Sequence, residues 1–130
     1  MTQPVEISYL EVEDLLYLAE RMLGAKPQVR DLGLLGASAH RPQTNVFGYE
    51  AYPTVSEKAA ALLVSLALNH ALVDGNKRLA LVAALTFCHI NSGRRPALTN
   101  DEQYDLVVNV VAHALDVAEV ASIFHDAGIP

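Results

Sequence analysis

Two long, nearly unbroken apolar stretches leave this chain little choice of architecture. From Val55 to Asn69 the residues are almost all apolar after the first turn, and the stretch from about Gly75 to Asn91 is similar. A helix that is apolar around most of its circumference must be buried around most of it. Two such helices in a chain of 130 residues predict an all-α bundle with this pair at its centre, joined by the loop from His70 to Asp74.

The remaining segments read as what wraps the pair. Four N-terminal helix signals place an oxygen-bearing cap three residues before a glutamate: Ser8/Glu11, Thr54/Glu57, Thr99/Glu102 and Asp116/Glu119. The first predicts a helix from about Tyr9 to Met22, with Leu10, Leu15, Leu18 and Met22 on one face, Ile7 stapled onto Val12, and Gly24 as the stop. Lys26 to Arg30 reads as a loop. Asp31 to Ser38 reads as a short helix weakened by Gly33 and Gly36 and ended by Arg41-Pro42. Asn45 to Pro53 is rich in aromatic residues and glycine, as in a small hairpin or an exposed flap; Phe47, Tyr49 and Tyr52 are its candidates for substrate docking. Beyond Ser92-Gly93 an extended connection, Arg94 to Thr99, leads to helices at about Asn100 to Ala114 and Val117 to His125. Neither an internal repeat nor a linker divides the chain, so residues 1–130 read as one domain.

Charge and cysteine usage narrow the function. A net charge of -6 argues against direct nucleic-acid binding, which needs clustered positive charge. Within that acidic total, Gly75 to Asn100 holds Lys77, Arg78, Arg94 and Arg95 and no acid, which suits a small anion. The single cysteine, Cys88, lies in an apolar run; a disulfide framework is excluded, and a buried, inert thiol in a reducing compartment is expected. Met1 to Glu6 lacks the basic and apolar parts of a signal peptide, and no apolar run reaches membrane-spanning length. A soluble cytoplasmic protein without a membrane partner is the expectation.

The loop between the two apolar helices, His70-Ala71-Leu72-Val73-Asp74-Gly75-Asn76-Lys77-Arg78, concentrates the chemistry. A helix N-terminus presents unpaired N–H groups and a partial positive charge, which favours phosphate. Gly75 permits a tight turn there, Asn76 can donate from its side chain, and Lys77 and Arg78 add two cations. His70 and Asp74 flank the loop, so one can deprotonate an attacking hydroxyl while the other holds Mg²⁺ against a phosphate. The bland alternative is a polar interruption between core helices, with a capping aspartate and solvated cations.

His-x-x-x-Asp-Gly-Asn-Lys-Arg after an apolar helix opening Thr54-Val55-Ser56-Glu57-Lys58-Ala59-Ala60 resembles the Fic/Doc family, specifically its Doc (death-on-curing) branch. Arg30-Asp31-Leu32-Gly33-Leu34-Leu35, His40-Arg41-Pro42-Gln43, Tyr52-Pro53-Thr54 and Asn91-Ser92-Gly93 extend the likeness over about Ser8 to Phe124. The resemblance implies a Fic/Doc-type helical bundle and an enzyme that modifies a protein hydroxyl with a nucleoside triphosphate. In Doc toxins the reaction is transfer of the γ-phosphate of ATP to a threonine of elongation factor Tu, which stops translation. By position it makes His70 the catalytic base, Asp74 the acid that holds Mg²⁺, and Gly75, Asn76, Lys77 and Arg78 the anion cradle. AMP-transferring members have glycine where Lys77 stands and an arginine where Leu81 stands, so both positions favour the Doc chemistry. The alternatives are AMP transfer and an inactive binding module of the same fold. The likeness also implies a Phd-like antitoxin acting in trans, since the chain has no Ser/Thr-x-x-x-Glu-Gly/Asn inhibitory pattern.

Some positions depart from the pattern. Ala71-Leu72 stands where the family usually has phenylalanine, often after proline, which predicts a looser loop; for Leu79 in place of threonine and Gly36 in place of glutamate there is no physical account. Arg94 and Arg95 are expected to serve the carbonyls of a helix C-terminus and solubility. His113 with Asp116, and His125 with Asp126, lack a third ligand at a recognised spacing and are expected to be surface or satisfied histidines.

Overall fold

A computed structural model describes residues 6–130; the reading of a missing leader at Met1 to Val5 lies outside them. In chain order the elements are α1 (Val12–Leu23), α2 (Leu32–His40), a 3-10 turn (Arg41–Gln43), β1 (Asn45–Val46), β2 (Tyr49–Glu50), α3 (Val55–Asn69), α4 (Asn76–Ser92), α5 (Asn100–Val111) and α6 (Val117–Asp126). The fold is all-α with one two-stranded hairpin.

Helix α3 is the hub, and α2, α4, α5 and α6 all pack on it. Twelve of its fifteen residues are buried, so its apolar circumference finds a partner on nearly every side. Alanines at 59, 60 and 67 of α3 and at 80, 83 and 84 of α4 are all buried in the shared core, and such small side chains let helix axes approach closely. Leu15, Leu35, Phe87 and Phe124 fill the space around them.

Three of the four expected caps form. Thr54, Thr99 and Asp116 accept from the backbone N–H of Glu57 (3.1 Å), Glu102 (3.1 Å) and Glu119 (2.8 Å). Asp31 likewise caps α2 by accepting from Leu34 N–H at 3.0 Å. The Ser8 expectation fails. Ser8 N–H donates to Asn91 Oδ1 (2.8 Å) and its carbonyl accepts from Asn91 Nδ2 (2.9 Å), which ties that segment to the end of α4. The first helix therefore starts at Val12, with Glu11 as its cap and the Asp14 carboxylate accepting from Glu11 N–H at 2.8 Å. Leu10 and Leu15, both buried, take the stapling positions expected of Ile7 and Val12. Gly24 does stop α1, and α5 ends at Val111, short of Ala114, because His113 turns left-handed (φ 59).

Asn45 to Glu50 is a tight hairpin whose central residues, Phe47 (φ 52) and Gly48 (φ 85), both have positive φ, as a two-residue turn of matching twist requires. Its base is anchored from below. Lys58, only 1% exposed, donates from Nζ to Glu50 Oε1 (3.1 Å) and to the Tyr52 carbonyl, and lies 5.9 Å from the Tyr9 ring centroid. A lysine is tolerated at such depth only when its charge is paired. Cys88 is fully buried, and burial pushes its thiol up to about 12, as expected of an inert cysteine. Among the described residues no helix is long and apolar enough to cross a membrane.

Candidate active site

The site lies where α3 gives way to α4. His70 is the C-terminal cap of α3 and adopts the left-handed conformation, φ 50 and ψ 45. For a residue with a Cβ that conformation costs about 1–2 kcal/mol. The left-handed glycines that end α1 and α4 return their N–H to a helix carbonyl, Glu20 and His89 respectively at 2.9 Å; His70 makes no such bond. Its side chain is exposed, with no hydrogen bond to a described residue, so the backbone sets where its Cα–Cβ bond points.

The next three residues are held by the segment before α2. The Ala71 carbonyl accepts from both Arg30 N–H (2.8 Å) and Asp31 N–H (3.0 Å), and Val73 N–H donates to the Gln28 carbonyl (2.9 Å). Leu72 pairs with Val29 as an antiparallel bridge and is 1% exposed. Its N–H donates to Asn76 Oδ1 and its carbonyl accepts from Asn76 Nδ2, each at 2.9 Å. Backbone bonds hold the loop where the aromatic is missing, and leucine fills the buried position.

Gly75 starts α4 in the left-handed region (φ 90), and an added Cβ would meet Leu23 Cδ2 at 3.2 Å and Met22 Cε at 3.5 Å. Both the turn and the closeness of α1 require glycine. Arg78 Nη2 donates to the Met22 carbonyl (3.4 Å), so the end of α1 also steers this cation. Whereas α2, α3, α5 and α6 each begin with a capping side chain, α4 begins with none. Its first-turn N–H groups, at Asn76, Lys77 and Arg78, are left without intrahelical partners.

His70, Asp74, Gly75, Asn76, Lys77 and Arg78 line one cleft of about 250 Å³, closed by Val73 and Val111. The structure thus brings together every motif residue singled out in the sequence. It assigns Asn76 a structural bond not foreseen, since its carboxamide closes the loop. Asp74 Oδ1 accepts from Gly75 N–H at 2.9 Å, which leaves Oδ2 open toward solvent. One free carboxylate oxygen beside an uncapped helix N-terminus fits Mg²⁺, which is usually held by one or two carboxylates plus phosphate and water oxygens.

Phe47, Tyr49 and Tyr52 are not in the walls of this cleft. Phe47 (96% exposed) and Tyr49 (78%) stand at the hairpin surface, while the Tyr52 hydroxyl accepts from Arg41 Nε at 3.0 Å and packs under that guanidinium. Arg94 and Arg95 follow the far end of α4, about 25 Å along the helix from Lys77. His125 shares its Nδ1 with the Ile129 carbonyl (3.1 Å). Among the described residues no three His, Cys, Asp or Glu side chains cluster to hold a metal. Sequence reading missed the Gln28 to Asp31 strap and the Met22-Leu23 wall, which join positions far apart in the chain and leave no periodic signal.

Comparison with known proteins agrees with this geometry. A family model described as the Fic/DOC family matches residues 9–88, from the start of the segment leading into α1 to the last third of α4. The chain is 48% identical over 115 residues, 88% of its own length and 88% of the relative's, to "Toxin Doc" of Mycolicibacterium smegmatis. Two apolar central helices, the His70 to Arg78 junction between them and these two matches make one case: the chain belongs to the Fic/DOC family, in its Doc branch.

Proposed function

We propose that this protein is the toxin of a toxin–antitoxin pair and a protein kinase, transferring the γ-phosphoryl group of ATP to a threonine or serine hydroxyl of a translation factor. By resemblance the target is elongation factor Tu, and the consequence is arrest of translation. A related protein 48% identical to this one carries the name Toxin Doc. The observation that carries the kinase reading is Lys77 in the wall of the cleft, beside an uncapped helix N-terminus.

In this reading the uncapped N–H groups of α4 with Lys77 and Arg78 bind the phosphate chain. A lysine in place of glycine fills the space that one nucleotide pose needs and attracts the terminal phosphate, which brings the γ-phosphorus to the target hydroxyl. His70 takes the proton of that hydroxyl as its oxygen bonds to the γ-phosphorus; the bond to the β,γ-bridging oxygen breaks and ADP leaves. Asp74, through its open Oδ2, is the residue that would hold Mg²⁺ on the phosphates. When bound, that ion neutralises charge on the phosphate oxygens. Phe47 and Tyr49, on the exposed hairpin, dock the protein substrate, and a Phd-like antitoxin restrains the enzyme in trans.

Purified protein, elongation factor Tu and ATP labelled at either the α or the γ position test the reading. Label from the γ position alone is expected on the target, and about a hundredfold less of it with His70→Ala. Label from the α position would replace the kinase reading with AMP transfer. Growth arrest by the wild type but not by His70→Ala, relieved by co-expressing a Phd-like antitoxin, tests the toxin assignment.

A further inference from the structure

Behind His70, in the seam between α2 and α3, sits a polar trio that packing does not call for. Ser38, on α2, is fully buried and Ser65, on α3, is 5% exposed. Asn69 Nδ2 donates to Ser38 Oγ (2.9 Å) and to Ser65 Oγ (3.2 Å), and Ser65 Oγ donates to Ser38 Oγ (3.1 Å). The same seam otherwise buries Leu35, Ala39, Leu62 and Leu66. Apolar residues could fill the trio's space without desolvating any hydroxyl. What hydrogen bonds add, and apolar contact does not, is direction: they fix the rotation of the last turn of α3 against α2.

That turn leads directly into His70. Asn69 on one side of it is bonded to Ser38, and Ala71 on the other side accepts from Arg30 and Asp31. Both neighbours of His70 are therefore gripped by one short segment, residues 30–38. Local bonds do not perform this task, because the His70 N–H makes no well-formed bond to a helix carbonyl and its exposed ring makes no hydrogen bond to a described residue.

We propose that Asn69, held by Ser38 and Ser65, is a positioning residue that keeps His70 left-handed and its imidazole aimed into the cleft. The proposal rests on His70 being the base of the reaction. Releasing Asn69 frees the last turn of α3, and His70 then relaxes toward the commoner right-handed or extended conformations, carrying its ring out of line.

Two variants test this, Asn69→Ala and the pair Ser38→Ala with Ser65→Ala, the second removing the anchors while Asn69 stays; if either does not fold, the other decides. The first readout needs no activity: the backbone coupling and Cα and Cβ chemical shifts of His70 in labelled protein. These are expected to show a left-handed His70 in the wild type and a shift away from it in the variants. The second readout is label transfer, with kcat expected to fall tenfold or more and KM for ATP to stay within twofold. In a His70→Ala background the same substitutions are expected to change nothing further. Unmoved His70 signals, a kcat within twofold of wild type, or an equal loss in the His70→Ala background would each overturn the proposal. A wild type that transfers no label would instead count against the function, and the His70 signals would still decide whether Asn69 positions it.

Discussion

Helices α3 and α4, the two halves of the core pair, both end on a left-handed residue, yet they reach it by opposite routes. At Gly93 (φ 70) the conformation is local: glycine carries no Cβ penalty, its N–H closes on the His89 carbonyl, and nothing lies within 4 Å of a Cβ added there. At His70 (φ 50) it is imposed, because a side chain is present, the closing bond is absent, and the neighbours on both sides are tied to the α2 segment. The two helix starts differ in the same sense. Thr54 caps α3, whereas α4 begins bare at Gly75. At the junction of α3 and α4 the chain departs twice from ordinary helix-ending chemistry, at His70 and at Gly75, and both residues line the cleft.

The largest effect expected from breaking that contrast is at Asn76. Asn76→Leu strips both backbone bonds from buried Leu72 and should lower stability by about 2–4 kcal/mol in urea unfolding, since each orphaned buried group costs about 1–3 kcal/mol. A loss under about 1 kcal/mol would mean that the loop holds itself. Gly75→Ala should follow at about 2 kcal/mol, combining left-handed strain with the close Leu23 contact, and should weaken ATP binding. At the ordinary helix end, Gly93→Ala should cost about 1 kcal/mol of strain and leave label transfer unchanged. A fall in transfer there would erase the distinction between the two ends.

Mid-helix Cys88 gives an effect that is absent near neutral pH and grows only above about pH 9. Burial raises its thiol from 9.0 to about 12, so the folded state keeps a proton that the unfolded state loses above 9. Its contribution is then complete below about pH 9 and declines as pH rises toward 12. Cys88→Ala should flatten that decline, with stability followed by urea titration across pH 8 to 10.5, and native protein should not react with a thiol reagent at pH 8.

The core pair was legible in composition, fully so for α3, which buries twelve of its fifteen residues; α4 buries only six of seventeen, in a stripe from Leu79 to Cys88, so its apolar run overstates how much of its circumference is covered. Caps at Thr54, Thr99 and Asp116 were legible for a local reason, as donor and acceptor lie three residues apart. Ser8 offered the same local pattern, but its backbone pairs with Asn91, 83 residues away, and the distant partner wins. Nothing in the sequence singled out Lys58 as the buried anchor of the hairpin, since the Glu50 and Tyr52 partners become visible only once the chain has folded back. Leu72 is the same lesson inside the site. Its shortened side chain suggested a loose loop, while the bonds that fix the loop come from Asn76, Val29 and their neighbours.

His70→Gly tests most directly whether α3 gives up local stability to hold a reactive histidine in place. Glycine relieves the left-handed strain, offset in part by its greater freedom in the unfolded chain, for a net gain of about 1 kcal/mol and a melting temperature higher by roughly 4 °C. Label transfer from ATP should fall by about a hundredfold or more in the same protein. A variant that melts lower than wild type, or that still transfers label at the wild-type rate, would contradict the account.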